Sequence, residues 1–94
     1  MFILFLDKKT YSMKQVAIFG SGNGSNIENI CDYFKHSSSV RVVLVYTNNK
    51  NAFLVTRAKR LGLPVFYTNK TDLNGFDSVK KVLEKNLIDY IILA

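Results

Sequence analysis

Apolar and polar positions along this chain follow two alternating rhythms. Continuous runs of β-branched, aliphatic and aromatic residues occur at "QVAIFG" (15–20), "VRVVLVYT" (40–47), "PVFYT" (64–68) and "DYIILA" (89–94). Glycine, proline, serine or asparagine clusters bound these runs, as they bound buried strands. Between them the apolar period lengthens to that of a helix. Ile27, Ile30, Cys31 and Phe34 fall at i, i+3, i+4 and i+7. Leu54, Ala58 and Leu61 mark a second helix that stops at Gly62, where glycine suits a left-handed C-terminal cap. "FDSVKKVLEKNL" puts Val79, Val82, Leu83 and Leu87 on one face and lysines on the other, and "NKTDLNG" before it reads as a loop.

Strands and helices that alternate in this order require right-handed crossovers and a parallel sheet covered on both faces. The fold class predicted is α/β, a Rossmann-like open parallel sheet in three layers. "VRVVLVYT", interrupted only by Arg41, suits a central strand buried on both faces. A length of 94 residues leaves room for one core. Residues 13–94 form the folded unit in this reading, because "MKQVAIFG" is a complete start to the first strand. Residues 1–12, "MFILFLDKKTYS", are then an N-terminal extension or a short extra edge strand. Their apolar start is far shorter than the ~20 residues of a membrane helix. It also lacks the charged start and cleavage site of a signal peptide.

Composition narrows the chemistry. Cys31 is the one cysteine and His36 the one histidine, so neither a disulfide framework nor a metal site is indicated. A reducing, cytoplasmic setting fits a lone thiol. His36 stands where the first helix should end, a position at which a cation complements the helix dipole. The net charge of +6 is spread from Lys8 to Lys85 without a dense stripe. The aromatic residues sit mostly in apolar runs and do not alternate with the charges, which argues against a nucleic-acid surface.

The most specific feature is "GSGNGSN", Gly20 to Asn26, between the first strand and the first helix. Ser25 and Glu28 match a capping box, so the turn should end at a capped helix N-terminus, where unpaired N–H groups and the dipole attract an anion. Glycines at 20, 22 and 24 permit positive φ and close approach of a ligand. A dinucleotide fingerprint would continue to a third glycine, but Ser25 stands there, and Asn48 and Asn49 replace the acid expected after the second strand. No Gly-Lys-Ser/Thr follows for a P-loop. Two readings of the residues remain: a loop that holds a phosphate, or a tight turn that needs glycine only for packing.

Together, "VAIFGSGNGSNIENI", "YTNNKNAFLVTRAKRLGLP", the "FDS" before the third helix and the closing "DYIILA" resemble the phosphoribosylglycinamide formyltransferases of purine biosynthesis, from about Lys14 to Ala94. Ser21 to Asn26 is the most specific element, since related formyl transferases that act on methionyl-tRNA or hydrolyse formyltetrahydrofolate share the fold but lack this loop. The resemblance implies that Gly24, Ser25 and Asn26 bind the phosphate of 5-phosphoribosylglycinamide, and that 10-formyltetrahydrofolate is the formyl donor. It also implies that the Asn, His and Asp that handle proton transfer and the oxyanion lie beyond Ala94. No catalytic residue is then expected in this chain, which reads as the truncated N-terminal half of the formyltransferase fold. Val79 followed by Lys80 departs from members with a basic residue directly after "FDS", which puts a folate contact there in question. The last strand should need a missing C-terminal half, or another chain, to cover its open edge. The alternative is a stand-alone phosphate- or nucleotide-binding module without chemistry.

Overall fold

The computed structural model describes residues 2–5, 13–68 and 73–94. The chain runs β1 (Phe2–Phe5), β2 (Lys14–Phe19), α1 (Ser25–Phe34), β3 (Val40–Thr47), α2 (Phe53–Arg60), β4 (Val65–Tyr67), α3 (Leu73–Lys85) and β5 (Tyr90–Leu93). The sheet order is β1-β5-β2-β3-β4. All neighbours are parallel except β1, which lies antiparallel to β5.

Each face of the sheet buries its own helices. Val16, Ile18, Val45 and Ile92 pack with Ile27 and Ile30 of α1 and with Leu54 and Ala58 of α2. On the opposite face Ala17, Leu44, Tyr46 and Ile88 pack with Val79, Val82 and Leu83 of α3. The result is the three-layer arrangement expected from the sequence. β3 serves both faces through a one-residue slip: Val16 pairs with Val42 and Ala17 with Leu44, which leaves Val43 without a partner on β2. Val42 and Val45 therefore both face α1 and α2, while Val43 and Leu44 face α3. An extra residue of this kind bends a strand and increases its twist.

The path of the chain fixes where a ligand can sit. From β2 the chain moves outward through α1, β3, α2 and β4 along one side, then returns over the other face through α3 to place β5 on the far side of β2. The chain leaves β2 into α1 on one face and reaches β5 over the other face through α3, so the strand order reverses between β2 and β5. The carboxyl ends of strands at such a reversal form a crevice that is the usual ligand position in open parallel sheets.

Three details differ from the sequence reading. Helix α3 starts at Leu73, inside the stretch read as a loop, whose residues 69–72 lie outside the described residues. Gly75 costs a helix interior about 1 kcal/mol, and the packing of Val79, Val82 and Leu83 offsets that cost. Leu87 is not on the buried face of α3; it is 61% exposed, and Ile88 is buried instead. The outer edge of β5 is not open, because β1 pairs with all four of its residues, from Phe2 with Leu93 to Phe5 with Tyr90. The apolar run "FILF" has the composition of a strand and supplies this edge from within the chain.

Leu87 leaves the helical face because two helices end alike. At α2, Leu63 N–H donates to Ala58 O (2.9 Å) and Gly62 N–H to Lys59 O (3.0 Å), with Gly62 at φ 76°. At α3, Ile88 N–H donates to Leu83 O (2.9 Å) and Leu87 N–H to Glu84 O (3.1 Å), with Leu87 at φ 54°. Both are Schellman caps, and the second forces a leucine into the left-handed conformation. Gln15 Nε2 reinforces this turn by donating to Asn86 O and Leu87 O, each at 2.9 Å. At the start of β5, the buried Asp89 accepts Gln15 N–H at Oδ2 (2.8 Å) and donates its own N–H to Gln15 O (2.8 Å).

Left-handed backbone costs a non-glycine residue about 1–2 kcal/mol, part of which glycine gives back as greater freedom in the unfolded chain. Leu87→Gly should therefore stabilise the fold by about 0.5–1 kcal/mol, and Gly62→Ala should destabilise it by about 1 kcal/mol. Urea denaturation midpoints check both, and a lower midpoint for Leu87→Gly would contradict this account of the cap.

Candidate functional site

The loop between β2 and α1 lies at the crevice between β2 and β5. Its first bonds come from the sheet: Gly20 N–H donates to Tyr46 O (3.1 Å), and Ala94 N–H donates to Phe19 O (2.9 Å). Gly24 is the residue before α1 and has φ 87°. Its carbonyl starts the helical ladder by accepting Ile27 N–H (3.1 Å) and Glu28 N–H (3.3 Å). Ser25 and Asn26 are the first two helical residues, so their amides precede that ladder and point toward the crevice end of the helix.

The capping box expected from Ser25 and Glu28 does not form. Gly24, not Ser25, takes the cap position, and no side-chain cap bond is made. Asn23 performs a related task, with its Oδ1 accepting Ser25 N–H at 2.9 Å. Glu28 instead reaches across to α2, where Arg57 Nη1 lies 2.7 Å from its Oε2 and Arg60 Nη2 lies 3.9 Å from its Oε1. The Arg57 guanidinium also lies 5.1 Å from the centroid of the Phe53 ring.

Helix α2 clamps the loop from the side. Leu54 N–H, at the start of α2, donates to Gly22 O (3.3 Å). A Cβ placed on Gly24 would come within 2.8 Å of Leu54 Cα and of Arg57 Cδ. Gly24 is thus required twice, by its positive φ and by the approach of a neighbouring backbone. Gly22 is different, since a Cβ there would meet nothing within 4 Å. That glycine leaves open space on the crevice side of the loop.

A hollow of about 80 Å³ lies over the loop, lined by Gly22, Asn23, Gly24, Ser25 and Asn26, with Ala94 closing one side. A second hollow of about 260 Å³ adjoins it through Asn26 and Ala94 and continues past Asn29, Ile30 and Leu93. Gly24, Ser25 and Asn26, the three predicted residues, are therefore together, with Ser25 and Asn26 exposed. Asn23, Leu54, Arg57 and Ala94 complete the surroundings and did not emerge from the sequence. Asn23 could have been found, because asparagine two residues before an unpaired helical N–H commonly accepts from it. The other three arrive through tertiary packing, which leaves no local signal.

A larger groove of about 770 Å³ runs between α1 and the start of β3, past Cys31, Phe34, Val40, Arg41 and Leu63. It lies toward the amino ends of the strands, away from the crevice. Burial, aided by the Glu28 carboxylate, pushes the Cys31 thiol up, away from the thiolate that nucleophilic chemistry would need. His36 is exposed just beyond the end of α1, at the same remote end. Among the described residues no cluster of His, Cys, Asp or Glu could hold a metal ion. No described helix is long and apolar enough to cross a membrane.

The two glycines separate packing from ligand access. Gly24→Ala should destabilise the fold by about 2–4 kcal/mol, the combined cost of left-handed backbone and a clash with the α2 backbone. Gly22→Ala should change stability by no more than about 0.5 kcal/mol. Thermal or urea unfolding of both variants checks this pair, and equal effects would refute the clamp.

Known proteins share this fold and sequence pattern. A phosphoribosylglycinamide formyltransferase of Haemophilus influenzae is 30% identical over 90 residues, covering 87% of this chain and 41% of that protein. The crystal structure of glycinamide ribonucleotide transformylase 1 from Geobacillus kaustophilus superposes with a TM-score of 0.77 at 31% identity, covering 86% of this chain and 46% of that one. The phosphoribosylglycinamide formyltransferase of Bacillus halodurans gives 0.75 at 34% identity, with 86% and 44% covered. The chain thus spans less than half the length of each of these relatives. The sequence profile described as formyl transferase matches residues 14–94, from the first residue of β2 through the glycine loop to the end of β5, and the chain belongs to the formyl transferase family.

Proposed function

We propose that this chain carries the sugar-phosphate part of a glycinamide ribonucleotide transformylase site, with Gly24, Ser25 and Asn26 holding the phosphate of 5-phosphoribosylglycinamide. The observation that carries this reading is the glycine loop's place at the crevice, where the first amides of α1 face a hollow with Ala94 on its other side. Helix amides and dipole stabilise an anion there without a charged side chain on the loop. Asn26 borders both hollows, so a ligand whose phosphate occupies the smaller one extends past Asn26 and Ala94 into the larger. That path suits a phosphate joined to a sugar.

Binding requires one rearrangement. Asn23 Oδ1 accepts Ser25 N–H, so a phosphate oxygen that takes this amide replaces a neutral acceptor with a charged one. Charge-assisted bonds are roughly twice as strong as neutral ones, which favours the exchange. Arg57 lies against Gly24 and adds positive potential behind the loop, largely balanced by Glu28.

The family reaction transfers a formyl group from 10-formyltetrahydrofolate to the substrate amine in purine biosynthesis. At the position after "FDS", Val79 packs into the core with Ala17, Leu44 and Tyr46, and Lys80 is exposed. In our reading the catalytic groups lie outside these 94 residues, whose part is to hold the substrate.

Calorimetric titration of the chain with glycinamide ribonucleotide, against NAD and inorganic phosphate, tests this reading. Glycinamide ribonucleotide should bind more tightly than either competitor, and Asn26→Ala should weaken it by about 1.5–3 kcal/mol, the range for a hydrogen bond to a charged group. Tighter binding of NAD would favour a nucleotide-binding module instead. An unchanged affinity for Asn26→Ala would reduce the loop to a structural turn.

A further inference from the structure

The strand β1 lies outside the family-matched residues 14–94, yet it forms one side of β5. We propose that β1 is a clasp that holds β5, and with it the Leu93–Ala94 wall of the candidate site, in place. The second half of this statement rests on the phosphate reading above; the first does not.

β5 has only four residues, and β1 pairs with every one of them, Phe2 with Leu93, Ile3 with Ile92, Leu4 with Ile91 and Phe5 with Tyr90. On its other side β5 is held by Val16 to Phe19 of β2. Among the described residues β1 and β2 are the strands beside it, so β1 supplies the ladder on its outer side. The antiparallel direction brings the beginning of the chain to the crevice end of the sheet, because Phe2 stands opposite Leu93. Leu93 lines the larger hollow, and Ala94 lines both. Ala94 O also lies 3.5 Å from where a Cβ on Gly20 would be, so the end of β5 lies against the start of the loop. A segment outside the family-matched residues therefore supports the candidate site.

This clasp can be tested in the full chain and in a chain starting at Met13. Deletion of residues 1–12 should lower the hydrogen-exchange protection of residues 90–94 by about tenfold or more and leave β3 protected. In the full chain, Ile3→Pro and Leu4→Pro should differ. Neighbouring strand residues point their N–H groups to opposite sides, so only one of the two prolines removes a donor to β5.

Should the deletion fail to fold, cross-linking still decides. In a Cys31→Ser background, the pair Phe2→Cys with Leu93→Cys should oxidise faster than Leu4→Cys with Leu93→Cys. Equal oxidation rates, or unchanged protection of β5 after deletion, would overturn the clasp. The ligand arm uses glycinamide ribonucleotide. If the full chain binds it, the deletion should bind severalfold more weakly, and equal affinity would overturn the role of β1 in the site. If the full chain does not bind it, the phosphate reading is lost, and exchange and cross-linking alone decide whether β1 holds β5.

Discussion

The approach of α2 to the glycine loop constrains most of what surrounds the candidate site. Leu54 and Arg57 lie so close to Gly24 that no side chain fits between them, and Leu54 N–H bonds to Gly22 O. This contact fixes the loop at the start of α1, the angle at which α1 leaves the sheet, and the distance between α1 and α2. The Glu28–Arg57 pair at 2.7 Å follows from that distance. Glu28 is therefore engaged with α2 and not with its own helix cap, and Ser25 N–H is left to Asn23. Of the two readings of the glycines left open by the sequence, the packing one holds at Gly24 and not at Gly22. Gly24 serves packing, and Gly22 leaves access.

The layer architecture was legible in the sequence because each strand and helix carried its own period. Val40–Thr47 was readable to the residue, since its apolar run ends at asparagines that cannot continue it. Gly62 announced its cap because glycine is the ordinary residue for left-handed backbone. Leu87 takes the same conformation without glycine, so its period placed it wrongly on the buried face. The start of α3 was missed for a related reason: Asn74 and Gly75 are poor helix formers, and packing further along the helix outweighs them.

Within the site, Gly24, Ser25 and Asn26 were found together because they are adjacent in sequence, whereas Leu54, Arg57 and Ala94 reach them only through the fold. The bulge at Val43 and the pairing of β1 with β5 belong to the same class. Each depends on which strand becomes a neighbour, and no local pattern specifies that. The reversal of strand order at β2 is what sets "GSGNGSN" beside the end of β5, and that neighbour cannot be read from the loop itself.

The central claim is that an anionic sugar ligand is held at the loop beside the β2–β5 crevice, and not in the larger groove beside Cys31. Backbone amide chemical shifts, followed by nuclear magnetic resonance during titration with glycinamide ribonucleotide, test this most directly. The account predicts that the largest shifts fall on Gly22 to Asn26 and on Ala94, with Cys31, Val40 and Arg41 unmoved. Shifts centred on the groove, or spread evenly over the basic surface, would contradict it.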